Sequence, residues 1–187
     1  VGLITARNGI VVGSGITLSK DGDIFATGIS TATSIGFPDA NVKVGNNALD
    51  SLTTGTNNTA VGHNALTAAT TASDCVAVGE DALAGTTTGS NNVAIGLDAL
   101  KVNTTGTGNI GIGRKALDAN TDGSLNVALG QSALGANTTA DANTAVGYAA
   151  LNVNTTGARC VAVGAYSLDA SDACLLYTSP SPRDPVS

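Results

Sequence analysis

The chain has 187 residues, of which 42% are apolar, 12% charged and 3% aromatic, with a formal net charge of −6. This balance excludes an intrinsically disordered chain, which would have fewer apolar residues, and a helical bundle, which would be rich in Leu, Glu, Lys and Arg. The eight basic residues are scattered and leave no footprint for nucleic acid, and no stretch reaches the roughly 20 apolar residues that span a bilayer.

The interior of the fold is expected to be thin. Five aromatic residues and no Trp or Met cannot fill the thick core of an ordinary domain of this length. Ala, Val, Leu and Gly must therefore supply the interior.

Residues 1–43 come first in chain order and are predicted to form a small β adaptor. Short β-type runs at residues 16–18 and 23–26 flank Lys20-Asp21-Gly22, and Asp-Gly is a favoured pair in tight turns. We therefore predict a β-hairpin in this segment. Pro38 and Asp39 then mark a turn before the next segment.

Residues 44–173 contain an internal repeat, recognised by an aliphatic residue followed by Gly. Each start lies 17 residues after the previous one, without insertion or deletion. The eight starts are Val44-Gly45, Val61-Gly62, Val78-Gly79, Ile95-Gly96, Ile112-Gly113, Leu129-Gly130, Val146-Gly147 and Val163-Gly164. Units of equal length indicate stacked coils, because surface loops of a globular domain would vary in length.

We number the repeat positions from one, the aliphatic residue before this Gly, to seventeen. The consensus is Val-Gly-x-x-Ala-Leu-x-x-Asn-Thr-Thr-Gly-x-x-Asn-Val-Ala. Position six is always Leu: Leu49, Leu66, Leu83, Leu100, Leu117, Leu134, Leu151 and Leu168. Helical repeats start at about 33 residues and leucine-rich repeats at about 20, so the period favours an all-β, parallel β-solenoid of 17-residue coils.

Positions sixteen, seventeen and one are predicted to form a short strand in each coil. The outer two residues are aliphatic or Thr and share one face, whereas the middle residue is Ala, or Gly111 once. A strand that is apolar on both faces is covered on both. We expect the bulky face to fill the core of the coil and the Ala face to meet the opposite wall or, as we infer, a neighbouring subunit.

Position fifteen predicts a ladder of stacked amides. Asn occupies it in five coils, and Cys75 and Cys160 replace Asn in two others. The five are Asn58, Asn92, Asn109, Asn126 and Asn143. Side chains stacked about 4.8 Å apart can hydrogen-bond from coil to coil. The two cysteines lie five coils apart, about 24 Å at that spacing, so no disulfide is expected between them.

Residues 174–187 differ abruptly in composition and are predicted to be non-native. Residues 174–184 resemble a translated sequencing-library adapter, with a native Pro-Ser linker as the alternative. Residues 185–187 would then be a barcode. The chain starts at Val1 and lacks Met, which indicates a fragment of a longer, metagenomic reading frame.

The repeat carries a resemblance to known fibres. Asn-Thr-Ala-Val-Gly-Tyr-Ala-Ala-Leu at residues 143–151, followed by Asn-Thr-Thr-Gly at 154–157, resembles repeats of tail-fibre proteins from marine phages. Val-Ala-Ile-Gly at residues 93–96 is similar to the core of head repeats in trimeric autotransporter adhesins, whose coils are shorter. Residues 15–19 and 21–28 resemble spacers of marine phage fibres.

This resemblance implies a homotrimeric, left-handed β-roll that forms the shaft or head of an adhesive fibre. The implied location is the virion, as a tail fibre for host attachment, or alternatively the surface of a bacterium. The implied partners are other copies of the chain and a host receptor or glycan. No cofactor and no membrane insertion of this segment are expected.

Several motif matches are better explained by the repeat. Gly106, Gly108 and Gly111 match the spacing of the dinucleotide fingerprint, but they fall at repeat positions and lack its strand-loop-helix context. Four glycosylation sequons arise from the repeat itself, and we interpret their Asn residues as turn residues. They begin at Asn57, Asn103, Asn137 and Asn154.

No catalytic or metal site is predicted. His63 is the single His and has no partnering acid or second His, so it is expected to be a surface residue. Three acids near the first turns lack the spacing of cation ligands; they are Asp21, Asp23 and Asp39. Asp81, Asp98 and Lys115 share position four of successive coils and predict a solvated charge ladder.

Three classes of function follow, with a structural, adhesive fibre favoured and no enzyme activity expected. An ice-binding solenoid is the second class, since Thr recurs at position ten: Thr53, Thr70, Thr87, Thr104, Thr121, Thr138 and Thr155. A polysaccharide-cleaving tailspike is the third, although it would need paired carboxylates and the acids here occur singly. Positions three, four, thirteen and fourteen vary and are the candidates for receptor contact.

Overall fold

The protein is an all-β parallel solenoid, described by a computed structural model for residues 40–169. Eight three-residue strands form one parallel sheet in chain order, β1 to β8. They are β1 (Val42–Val44), β2 (Thr59–Val61), β3 (Val76–Val78), β4 (Val93–Ile95), β5 (Ile110–Ile112), β6 (Val127–Leu129), β7 (Thr144–Val146) and β8 (Val161–Val163). The prediction of a β-solenoid with 17-residue coils is confirmed.

Both predicted end segments fall largely outside the described residues. The hairpin at residues 16–26, the turn at Pro38 and Asp39, and the adapter-like residues 174–187 all lie there. At the amino-terminal side the regular coil already includes Asn41, whose side-chain Oδ1 accepts a hydrogen bond from the Asn58 amide at 2.9 Å. The solenoid therefore extends slightly before the first repeat start at Val44.

Every coil pairs with the next in the same register. Val93 aligns with Ile110, Ala94 with Gly111 and Ile95 with Ile112, and the other strand pairs repeat this offset. Bends outside the strands also bond between coils, as where the Leu100 amide donates to the Ala116 carbonyl at 2.9 Å. Equal coil length keeps these bonds aligned along the whole stack.

Four repeat positions turn the chain with positive φ angles. Positions four, six and fourteen adopt the left-handed helical region, which is uncommon for residues with a side chain. The position-six leucines have φ of 50–55°. Position two is always Gly, with φ of 122–141°, a region that only Gly occupies readily. A Cβ on Gly96 would also lie 2.8 Å from the carbonyl carbon and oxygen of Gly113 in the next coil.

The interior of each coil is narrow and holds a single leucine side chain across its width. The position-six leucines from Leu49 to Leu151 are buried, together with the position-five alanines beside them. They pack against the middle residue of the strand, since a Cβ on Gly111 would lie 3.2 Å from Cγ and Cδ1 of Leu100. Leu168, in the last coil of the described range, is 45% exposed and differs from its counterparts.

The prediction that the bulky face of the strand fills the coil is wrong. The middle alanines, such as Ala77 and Ala94, are fully buried, whereas the flanking residues, such as Val78 and Ile95, face outward and are exposed. The leucine of position six already occupies the interior, so the remaining width admits a methyl group and excludes a larger aliphatic side chain. The Ala face is therefore not a subunit interface.

Two columns of buried Asn residues connect the coils. At position fifteen the predicted ladder residues are all buried; the Asn109 amide donates to Oδ1 of Asn92 at 2.8 Å, and Nδ2 of Asn92 donates to the Gly106 carbonyl at 2.8 Å. A second column at position nine starts at Asn103, and Nδ2 of Asn120 donates to its Oδ1 at 2.8 Å. Both columns satisfy polar groups that would otherwise be costly to bury.

We expect Leu100→Ala to lower the free energy of unfolding by about 2–5 kcal/mol, because the narrow interior cannot collapse around the lost side chain. Leu168→Ala is the matched control, since it removes the same side chain from the same repeat position where it is 45% exposed, and its effect should be smaller. Urea unfolding followed by circular dichroism measures both. Equal losses would contradict a core built on this leucine column.

Gly96→Ala should be more destabilising than Gly164→Ala. Both glycines have positive φ, 128° and 122°, so both substitutions strain the backbone by about 1–3 kcal/mol. A Cβ on Gly96 meets a carbonyl of the next coil, whereas at Gly164 the nearest atom within the described range, Cβ of Ser167, is 4.0 Å away. Thermal unfolding of the two variants isolates the contact between coils, and similar midpoints would show that it has no energetic effect.

Candidate functional site

The most prominent surface of the solenoid is an apolar strip on the outside of the sheet, which we call the outer strip. It consists of positions sixteen and one of the eight strands, all Val, Ile or Leu except Thr59 and Thr144. Ile95 is 39% and Leu129 43% exposed, and the remaining strip residues are partly buried or exposed. Seven steps of about 4.8 Å make it about 34 Å long. Contiguous apolar surface of this kind is typical of an interaction site.

A column of dissimilar side chains runs beside the outer strip at position three, separated from it by the position-two glycines. We call it the variable column, and all of its side chains are exposed. It contains Asn46, His63, Glu80, Leu97, Arg114, Gln131, Tyr148 and Ala165. Position three was one of the four candidates for receptor contact. Nothing in the ladder bonds constrains these side chains, so they are free to vary.

The other receptor candidates are less free. At position thirteen, side-chain oxygens accept bonds from the preceding coil, as where Oγ of Ser90 accepts from the Ser73 amide at 3.0 Å. Positions four and fourteen adopt left-handed backbone, and some of their side chains also bond along the stack. Nδ2 of Asn64, for example, donates to Oδ1 of Asp81 at 3.0 Å.

The charge ladder includes Lys101, which the sequence pattern did not predict. Nζ of Lys101 lies 2.8 Å from a carboxylate oxygen of Asp81 and 2.8 Å from one of Asp98. The hydrogen bond from Lys101 lowers the pKa of Asp81, and the two carboxylates raise the pKa of Lys101. A general acid needs a raised carboxyl pKa, whereas these carboxylates are ion-paired with Lys101. The arrangement is therefore typical of a surface ion cluster and not of a catalytic acid.

The remaining ionic contacts are also at the surface. Lys115 lies 3.9 Å from Asp118, not from the carboxylates of its own column, and burial raises the pKa of Asp118. Nδ1 of His63 lies 3.8 Å from Glu80, one coil away. Among the residues described, no three His, Cys, Asp or Glu side chains gather as a metal ion would require.

The motif matches have structural roles. The dinucleotide-like glycines span a bend and strand β5, with Gly106 and Gly111 buried inside the coil. Three of the four sequon residues, Asn103, Asn137 and Asn154, are buried in the position-nine column, whereas Asn57 is exposed. The prediction that they are simple turn residues is therefore wrong for those three, because their side-chain amides form hydrogen bonds inside the solenoid.

The threonines of position ten also serve the fold. Oγ1 of Thr53 donates to the Thr70 carbonyl at 2.8 Å, and Oγ1 of Thr87 donates to the Thr104 carbonyl at 3.2 Å. The same bond recurs at Thr70, Thr104 and Thr121. The column lies outside the strands, so it does not form a flat sheet surface.

Cys75 interrupts the position-fifteen ladder. Its backbone amide still donates to the usual partner, Oδ1 of Asn58, at 3.1 Å, but its thiol donates to the carbonyls of Ser73 and Gly89 instead of accepting from the next coil. Burial raises its pKa, which keeps it protonated and unreactive. Cys75 is a free thiol, so the prediction of no disulfide to Cys160 is confirmed.

Two tyrosines form an aromatic pair that the repeat alignment did not single out. The rings of Tyr148 and Tyr166 are 5.0 Å apart between centroids, with an interplanar angle of 78°. Tyr148 lies at position three of one coil and Tyr166 at position four of the next. The rings therefore meet edge to face although they belong to different columns. The signal in the sequence is their separation by one coil plus one residue.

No helix within residues 40–169 is long and apolar enough to cross a membrane. No protein-family model matches the chain, and neither a curated protein nor a solved structure is significantly similar to it.

Thr86 offers a direct test of the position-nine column. Its buried Oγ1 has no hydrogen-bond partner, although Asn occupies this position in the next four coils. Thr86→Asn should continue the column towards Asn103 and raise the free energy of unfolding by about 1–3 kcal/mol, and Thr86→Val should raise it by about 1 kcal/mol by removing the unpaired hydroxyl. Urea unfolding measures both changes.

The control is Thr105→Val, at an exposed hydroxyl that bonds to Asp122 at 2.6 Å. A surface change of this kind should alter stability by less than about 0.5 kcal/mol. Loss of stability in Thr86→Val would show that its hydroxyl is satisfied and that the column does not explain this position.

Proposed function

We propose that this chain is a structural and adhesive fibre segment, the shaft or head of a phage tail fibre that attaches the virion to its host. The observation that carries the proposal is the outer strip, an apolar surface broken only by Thr59 and Thr144, along a solenoid whose coils have identical length. A regular stack of equal coils is typical of a rod-like segment. The alternative within the same class is the head of a bacterial trimeric surface adhesin.

The outer strip supports a homotrimer. Aliphatic side chains exposed to water favour association, and three flat sheets turned towards one axis would bury all of them in a shared core. The strip carries no charged side chain, so no ion would be desolvated by this contact. In this trimer the outer strip of each chain is therefore covered by two further copies of the same chain, with their coils aligned.

A trimeric rod would act mechanically. Eight coils at about 4.8 Å each give a rise of about 40 Å, which holds a binding tip away from its anchor. Three copies of each variable column would multiply weak contacts through effective concentration. Attachment then needs no cofactor and no chemical reaction.

The other two classes stay predictions with less support. Five of the seven position-ten hydroxyls donate to the next coil, which weakens the argument for an ice-binding face. Asp81 and Asp98 are the nearest approach to paired carboxylates, and both are bound to Lys101. That pairing favours a structural role over polysaccharide cleavage.

The trimer is tested by sedimentation equilibrium of the full chain, which should give three times the chain mass of 18.1 kDa. Ile95→Lys combined with Leu129→Lys places charges in the outer strip and should yield a monomer that keeps its β-type circular dichroism. Val102→Lys is the control, because Val102 is exposed outside the strip, and it should leave the trimer intact. A monomeric unsubstituted chain would contradict the proposal.

The setting of the fibre is tested at the level of the gene. Long-read sequencing of the source DNA across the codon for Ala173 should reveal a fibre tip or chaperone domain beside phage structural genes. A membrane-anchoring domain downstream would instead assign the chain to a bacterial surface adhesin. A catalytic domain with no structural genes nearby would overturn the fibre proposal.

A further inference from the structure

The aromatic side chains of the solenoid have no role in its core. Tyr148 and Tyr166 are the two aromatic residues within residues 40–169, and the interior is built from Leu, Ala and Asn. Tyr148 is 45% and Tyr166 58% exposed. Large rings left in water do not stabilise the fold appreciably by burial, so their contact with each other calls for another explanation.

The two rings form an exposed corner. Their centroids are 5.0 Å apart and their planes meet at 78°, an edge-to-face arrangement that aromatic pairs favour. The backbones that carry the two rings are hydrogen-bonded to each other, since the Tyr166 amide donates to the Tyr148 carbonyl at 2.8 Å. Tyr166 has a left-handed φ of 57°, like the other residues at position four.

Two polar residues of the described range lie near the corner. Gln131 precedes Tyr148 in the variable column, one coil spacing away, and Asp169 lies close enough to Tyr166 to act on it electrostatically. The hydrogen bond with Tyr148 raises the pKa of Tyr166. Gly147 separates the corner from Val146, the nearest residue of the outer strip.

We propose that Tyr148 and Tyr166 form a binding site for a neutral hexopyranose unit of a surface glycan. The electron-rich face of one ring would take the polarised C–H groups of the sugar, and the other ring would limit its position from the side. The amide of Gln131 and the carboxylate of Asp169 would bond to sugar hydroxyls. The inference rests on the proposed adhesive function, since it names the ligand class of that fibre.

The charge around the corner selects against acidic sugars. Asp169 acts electrostatically on Tyr166, and the whole chain has a net charge of −6. A carboxylate-bearing sugar would approach this region against repulsion from Asp169 and from the net negative charge of the chain. A single open corner binds weakly, and three copies in one fibre would raise the avidity.

The test is a titration of the full chain with methyl β-D-galactopyranoside, methyl β-D-glucopyranoside and methyl α-D-mannopyranoside, with a sialic acid glycoside beside them. The chain has no Trp, so its intrinsic fluorescence comes from its three tyrosines, and saturation-transfer NMR detects bound glycoside through the sugar protons. We expect saturable binding of at least one neutral glycoside and none of the sialoside. Preference for the sialoside, or no saturable binding of any probe, would overturn the proposal.

Variants identify the residues. Tyr148→Ala and Tyr166→Ala should each weaken binding at least tenfold, whereas Leu125→Ala, at an exposed residue outside the corner, should leave it unchanged. Sedimentation should give the same mass for all three variants. If the tyrosine variants bind the glycoside normally, or if they lose their assembly while Leu125→Ala keeps it, the corner is not the sugar site.

These outcomes separate the site from the fibre. A trimer that binds no glycoside contradicts the sugar site and leaves the fibre proposal standing. A monomer that binds a neutral glycoside through both tyrosines contradicts the fibre and retains the site.

Discussion

The fold depends on hydrogen bonding between coils of identical length. Each backbone amide that donates to the next coil bonds to a carbonyl at a constant offset in the sequence, as Leu100 does with Ala116. The buried Asn side chains add hydrogen bonds between successive coils, as Asn92 does with Asn109. One inserted residue would displace every later partner within the coil and leave buried amides unpaired, at a high cost in free energy. This constraint explains why the period is kept without exception through eight starts.

Closing a coil of 17 residues around one leucine requires sharp corners, and these come from backbone with positive φ. Leu100 and its counterparts adopt a conformation that is unfavourable for a side chain by about 1–2 kcal/mol, and full burial of a Leu, worth about 1.5–3 kcal/mol, compensates for it. The same closure leaves room for only Ala or Gly at the middle of strands β2 to β8, whereas Lys43, at the middle of the terminal strand β1, is exposed. The bulky residues of the strand must then face outward, where they create the outer strip.

Architecture and variation are thereby divided among different repeat positions. Core and ladder positions are fixed by contacts between coils, whereas the variable column is exposed and unconstrained. Adhesion proposed for this chain draws on both, with the outer strip for assembly and the variable column, including Tyr148, for ligand contact. A fibre could change its ligand by substitution at position three without disturbing its stack.

The sequence by itself determined the period, the parallel solenoid, the leucine column and the position-fifteen amides, because each follows from an unbroken spacing. It did not determine which face of the strand points inward. Both faces are apolar, and an alternation of bulky and small residues reads the same in either orientation, so only the width left beside Leu100 decided it. The burial of Asn103 and the meeting of Tyr148 with Tyr166 were likewise decided by the tertiary structure. The path of the chain around each corner sets which positions of neighbouring coils touch, and this path depends on backbone angles that the repeat pattern does not encode directly.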